Sequence, residues 1–145
     1  MSVATRSVRY SRDPVIEWVN DRELFRVWVP FLVYWHRPHA KLWTAQVPTG
    51  FFTDLASIPG VLESFISRVG RHIQAAITHD YCYHVDTGLT RSEADLLFLD
   101  GMEASGVDEG EREAMYSAVR WMGASSWKHT PDATDNEEWE KDDPE

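Results

Sequence analysis

Apolar residues alternate with polar ones in the first half of the chain and recur every three to four residues in the second. The segment VIEWV (15–19) is β-branched and aromatic, NDRE follows it as a turn, and LFRVWVPFLVYWH (24–36) comes next. This predicts a hairpin whose long second strand is bent or interrupted at Pro30, because proline donates nothing to a strand ladder. RPHA is a second turn, and KLWTAQVP (41–48) is a third strand, ended by Pro48 and Gly50. GFFTDLASIPG (50–60) reads as irregular, and the polar residues 1–13 read as loose.

The period then changes. LESFISRVGR (62–71) predicts a short helix. A longer helix runs from about Arg71 to His84, with Ala75, Ala76, Cys82 and Tyr83 on one side at 3.6 residues per turn. VDTGL is a turn, and TRSE (90–93) has the form of a capping box, with Thr90 as cap and Glu93 reaching back. The helix it opens carries Ala94, Leu97, Phe98 and Met102 on one stripe and ends at a glycine cap, Gly106. Asp108 and Glu111 repeat the capping pattern before a third helix, which presents Ala114, Met115, Ala118, Val119 and Met122 to the core. The expected fold is therefore α+β. A small antiparallel sheet in the N-terminal half packs with an antiparallel helical hairpin and a third helix, in a single domain over residues 1–128. No internal repeat is visible.

Composition narrows the class. At 145 residues, 43% apolar and 26% charged, the chain is long enough for one domain with its own core. The formal net charge is −10, unevenly placed. Residues 129–145 hold eight acidic side chains against one lysine, so they carry −7 and the body −3. That segment is too polar to bury itself and reads as a disordered acidic tail. A near-neutral body beside an acidic tail argues against a nucleic-acid partner. A single cysteine, Cys82, excludes an internal disulfide and reads as a small buried apolar residue. The start has no apolar segment of signal-peptide form, and the longest apolar run, VWVPFLVYW, is too short to span a membrane. A soluble protein without a signal peptide is expected. Of the seven tryptophans most lie in the predicted strands, where core is the favoured reading over partner surface.

Candidate chemistry concentrates in ITHDYCYH (77–84). His79 lies at the centre of its helix's small-residue stripe, and Asp95 lies within the apolar stripe of the next helix. A carboxylate there is costly unless paired. Each is about one and a half turns from the connecting turn, so an antiparallel hairpin brings them level. The sequence thus predicts contact between His79 and Asp95, the base–orienter arrangement of general-base catalysis. A buried His–Asp pair is equally well a structural tie, and both readings stand at this point. Asp80 is rotated by about 100° from His79 and faces a different neighbour. With Asp54 from the irregular segment it would hold a divalent cation, calcium through oxygen ligands or zinc together with His79. The alternatives are that Asp54 caps a following helix and that Asp80 faces Arg71 or Arg91. Tyr83 and His72 are accessory candidates, and His84 reads as a helix-end cation.

Three ordered motifs carry a resemblance. Val47 to Pro59 (VPTGFFTDLASIP), His79 to Tyr83 (HDYCY) and Arg91 to Phe98 (RSEADLLF) resemble domain-of-unknown-function family 1353, a phage and prophage family, over roughly residues 40–125. The resemblance implies a phage or prophage context, in host cytoplasm or phage particle, and no particular activity. HDYCY followed by R-x-x-A-D-x-x-F is also similar to the helical hairpin of phospholipases A2. That similarity implies His79 as base, Asp80 as calcium ligand and Asp95 as orienter. The paired cysteines of that family are missing, and GFFTDLAS stands where its glycine-rich calcium loop would be. The expectation is a metal-assisted hydrolase of a cell-envelope ester or amide, phospholipid or peptidoglycan. The alternative is a non-catalytic virion, tail or accessory protein in which the polar cluster is structural and virion proteins are the partners.

Overall fold

A computed structural model of the chain describes residues 5–53 and 71–128. Six strands precede three helices: β1 (Ser7–Tyr10), β2 (Val15–Val19), β3 (Leu24–Val29), β4 (Phe31–His36), β5 (Trp43–Val47), β6 (Phe52–Thr53), α1 (Ile73–His84), α2 (Arg91–Ala104) and α3 (Glu109–Met122). The α+β class is as expected. Residues 62–70 of the predicted helix over 62–71, and the acidic tail, lie outside the described residues, and Arg71 is in a turn.

The expected single sheet is instead two, each antiparallel and three-stranded, in the orders β1-β4-β5 and β2-β3-β6. Pro30 marks the break. It does not bend one long strand but separates β3 from β4, which belong to different sheets. The loose N-terminus is also corrected. Residues 7–10 form β1, paired with β4 from Ser7↔His36 to Tyr10↔Val33, and Val8 is buried. Along β4 burial alternates strictly, with Phe31, Val33 and Trp35 inward, as the two-residue repeat of a half-covered strand requires.

α2 is the central helix, packed on α1, α3 and β1. Sheet residues Val27, Phe31, Val33, Trp35 and Val47 share one core cluster with Ile77, Tyr83, Ala94 and Leu97. A second cluster, including Ala76, Phe98, Met102, Met115 and Val119, joins the helices. α1 approaches α2 closely at Gly101, where a Cβ would lie 3.1 Å from Ala75 Cβ and 2.5 Å from Tyr10 Oη. Helix ends follow the sequence signals. Thr90 accepts from the Glu93 amide while the Glu93 side chain accepts from the Thr90 amide, and Glu93 Oε2 also accepts from Arg37 at 2.6 Å. The capping box thus ties α2 to the end of β4. Replacing Thr90 by alanine is expected to cost about 1 kcal/mol, read as a lower urea midpoint with unchanged slope. Gly106 sits at φ +81 beyond α2, with its N–H on Glu103 O and that of Val107 on Met102 O, the paired bonds of a Schellman termination.

α3 departs from the expected face. Met115, Tyr116, Val119 and Arg120 are buried, whereas Met122 is half exposed. Asp108 caps it through the Gly110 amide. The tryptophans divide: Trp35 is fully buried, but Trp18, Trp28 and Trp121 are exposed. The core assignment therefore holds only in part.

Candidate functional site

α1 and α2 place His79 and Asp95 face to face. His79 Nε2 lies 2.7 Å from Asp95 Oδ1, and neither side chain reaches solvent. The short connection between the helices produces this level, as the hairpin geometry predicts. The Asp95 carboxylate has further donors. Tyr83 Oη donates to Oδ1 at 2.5 Å. Arg120 Nη1 donates to Oδ2 at 2.8 Å and Arg91 Nη1 at 3.4 Å. Two buried arginines balance a buried carboxylate, and the ring and phenol complete its shell. Burial and the neighbouring carboxylate push the Tyr83 phenol well above its ordinary range, so it stays a donor.

The His79 ring lies between Tyr83, centroids 4.3 Å apart, and Phe98, 4.7 Å apart. In the tautomer that donates from Nε2 to Asp95, Nδ1 is the nitrogen with the lone pair. Nδ1 is buried and has no hydrogen-bond partner among the described residues. Such an atom is uncommon, since buried polar atoms are almost always satisfied. Chemically the arrangement is a proton acceptor whose ring is fixed on one side by a carboxylate held by three further donors.

Asp80, also buried, lies next on α1 and turns away from Asp95, with Oδ1 3.2 Å from His84 Nδ1. His84 Nδ1 also contacts the Asp80 carbonyl at 2.9 Å. Asp54 lies outside the described residues, so its approach to Asp80 does too. His72 does not join His79. It is the N-terminal cap residue of α1, seven residues earlier, about 10 Å along the axis. Burial lowers its basicity, and Glu111 opposes that. Among the described residues no three His, Cys, Asp or Glu side chains gather closely enough for a metal ion. Cys82 is fully buried, and burial pushes its thiol up to about 12, in keeping with an inert packing residue.

Arg91 and Arg120 are the site residues that sequence reasoning missed as partners of Asp95. Arg91 stands one helical turn before it, a spacing that alone places them together. Arg120 carried a subtler signal, a cation one helical turn after Tyr116 on the face that α3 buries.

Among known proteins, the family model described as Protein of unknown function (DUF1353) matches residues 30–119, more than half of the chain. No curated protein and no solved structure matches it.

Proposed function

The chain belongs to the DUF1353 family, whose description names no activity; we propose from its own residues a hydrolase, and from the motif resemblance a phage or prophage setting. The substrate is an ester or amide of the cell envelope, phospholipid or peptidoglycan. His79 Nδ1 takes a proton from water as the water oxygen adds to the carbonyl carbon. Asp95 stabilises the imidazolium that forms, and the proton passes to the departing alcohol or amine. One observation carries this reading: Nε2 is fixed by Asp95 while Nδ1 is buried without a partner. For a histidine kept only as a tie, an unpartnered ring nitrogen is a cost with no return. A calcium or zinc ion between Asp54 and Asp80 belongs to the same proposal. The described residues do not by themselves supply a ligand set for it, so no step is routed through it. Titration of either ion against the melting temperature checks it, since binding to the native state alone raises stability.

A specific observation favours the second reading, a non-catalytic virion or accessory protein. His79 and Asp95 are both wholly buried, and Asp95 already accepts from four side chains. Incubating the purified chain with phospholipid vesicles and with peptidoglycan separates the two. Hydrolysis that falls by about 10²–10⁴-fold in His79→Asn, with the fold retained by circular dichroism, supports the enzyme. Absence of cleavage by the native chain on both substrates, or an equally active His79→Asn, rejects it in favour of the structural tie.

A further inference from the structure

A cleft of about 650 Å³ lies away from the His79 site, where β1 and the loop after it meet the start of α1 and the end of α2. Its rim carries Arg9, Arg12 and Arg71 against one carboxylate, Asp13, and its floor includes Val8 and Ile73. Three exposed arginines beside one aspartate leave a local positive charge on a body whose net charge is −3. Arg6, Arg26, Arg37, Arg91 and Arg120 each meet a carboxylate. Among the described residues Arg9, Arg12 and Arg71 form no such pair. The nearby start of α1 adds to the field. His72 makes no capping bond through its side chain, and the first turn has no acidic residue of its own, although Glu111 acts on His72 from α3 and offsets part of the positive end.

We propose that this cleft binds the chain's own acidic C-terminal segment, residues 129–145. Charge complementarity is one argument: eight acidic residues against one lysine meet the arginine-rich rim. Reach is the other. The Lys128 amide is held by the Tyr83 carbonyl, in the last turn of α1. The cleft is at the first turn of the same helix, ten residues back, about 15 Å. Seventeen residues with random-coil statistics would span roughly 20–25 Å. The tether therefore holds the segment at an effective concentration on the order of millimolar. Trp139, set between Glu138 and Glu140, offers an apolar side chain to the Val8 and Ile73 floor.

The test uses the full-length chain with a nitroxide on Asp135→Cys; the buried native thiol of Cys82 does not take the label. At low ionic strength the amide signals of residues 8–13 and 71–74 should lose most of their intensity. They should recover in high salt and in the charge-reversed chain Arg12→Glu/Arg71→Glu. Unchanged cleft signals in the native chain at low salt overturn the proposal, as does equal broadening in the charge-reversed chain. Broadening found only between a labelled chain and a separate isotope-labelled chain assigns the cleft to a second copy and also overturns it. If charge reversal unfolds the chain, Arg12→Gln with the salt series gives the same decision.

Discussion

Replacing Asp95 by alanine should destabilise the protein by about 3–5 kcal/mol, as loss of one partner from a buried charge cluster does. The substitution leaves Arg91 and Arg120 without their shared carboxylate and His79 Nε2 and Tyr83 Oη without an acceptor. All four sit within or against the helical core, so water does not replace what is lost. Asp95→Asn keeps the shape and one acceptor oxygen but removes the charge, and a smaller loss, about 1–3 kcal/mol, is expected. Urea unfolding of the two variants gives the order directly. A loss below about 1 kcal/mol for Asp95→Ala would mean that the arginines find other acceptors, and the cluster would not then be the keystone of the hairpin.

Trp35→Ala is the second large effect, about 3–5 kcal/mol. Trp35 is fully buried on β4, edge-on to Trp43 at 6.5 Å and capped by the Arg37 guanidinium at 4.2 Å. Its indole N–H donates to Asp100 Oδ2 at 2.9 Å, and Arg6 holds the same carboxylate at 3.0 Å. The residue thus links sheet to α2 through packing and through a hydrogen bond, and Trp35→Phe separates the two by keeping a ring and removing the donor. Burial raises the Asp100 carboxyl, with Trp35 and Arg6 pulling it down. A raised folded value means that the fold favours the protonated acid, so this group's contribution is present at low pH and is lost as pH rises through that value. Without the indole the carboxyl rises further. The penalty of Trp35→Phe relative to the native chain should therefore be larger at neutral pH than at acid pH, and a penalty that does not vary with pH would count against the bond.

The His79–Asp95 contact was legible because it depends on local quantities: two polar residues inside apolar stripes and a connection short enough to fix their level. Thr90 and Gly106 were legible for the same reason, each acting on backbone within a few residues. What the sequence hid depends on distant partners. β1 has only Val8 and Tyr10 as apolar positions, too few for an alternation, and its place comes from pairing with β4 and from Arg6 on Asp100. Pro30 announced a break, but whether the chain continues in one sheet or begins another is decided by that same long-range pairing. On α3 hydrophobicity favoured Met122 over Arg120 as a core residue. The structure reverses them because Asp95, on a different helix, supplies the arginine with a carboxylate.

The pairing of β1 with β4 has a further consequence, for the protein's colloidal behaviour. Among the described residues β1 is what covers one edge of β4, and that cover is four residues long. Beneath it lies FLVYWH, aromatic and β-branched, with no acidic residue, lysine or arginine to discourage a foreign strand. Whenever β1 lifts away, β4 presents a row of unpaired amides and carbonyls of the kind that templates intermolecular strand addition. Losses on heating or concentration should then begin with fraying of the N-terminal strand, while the helical core is still folded.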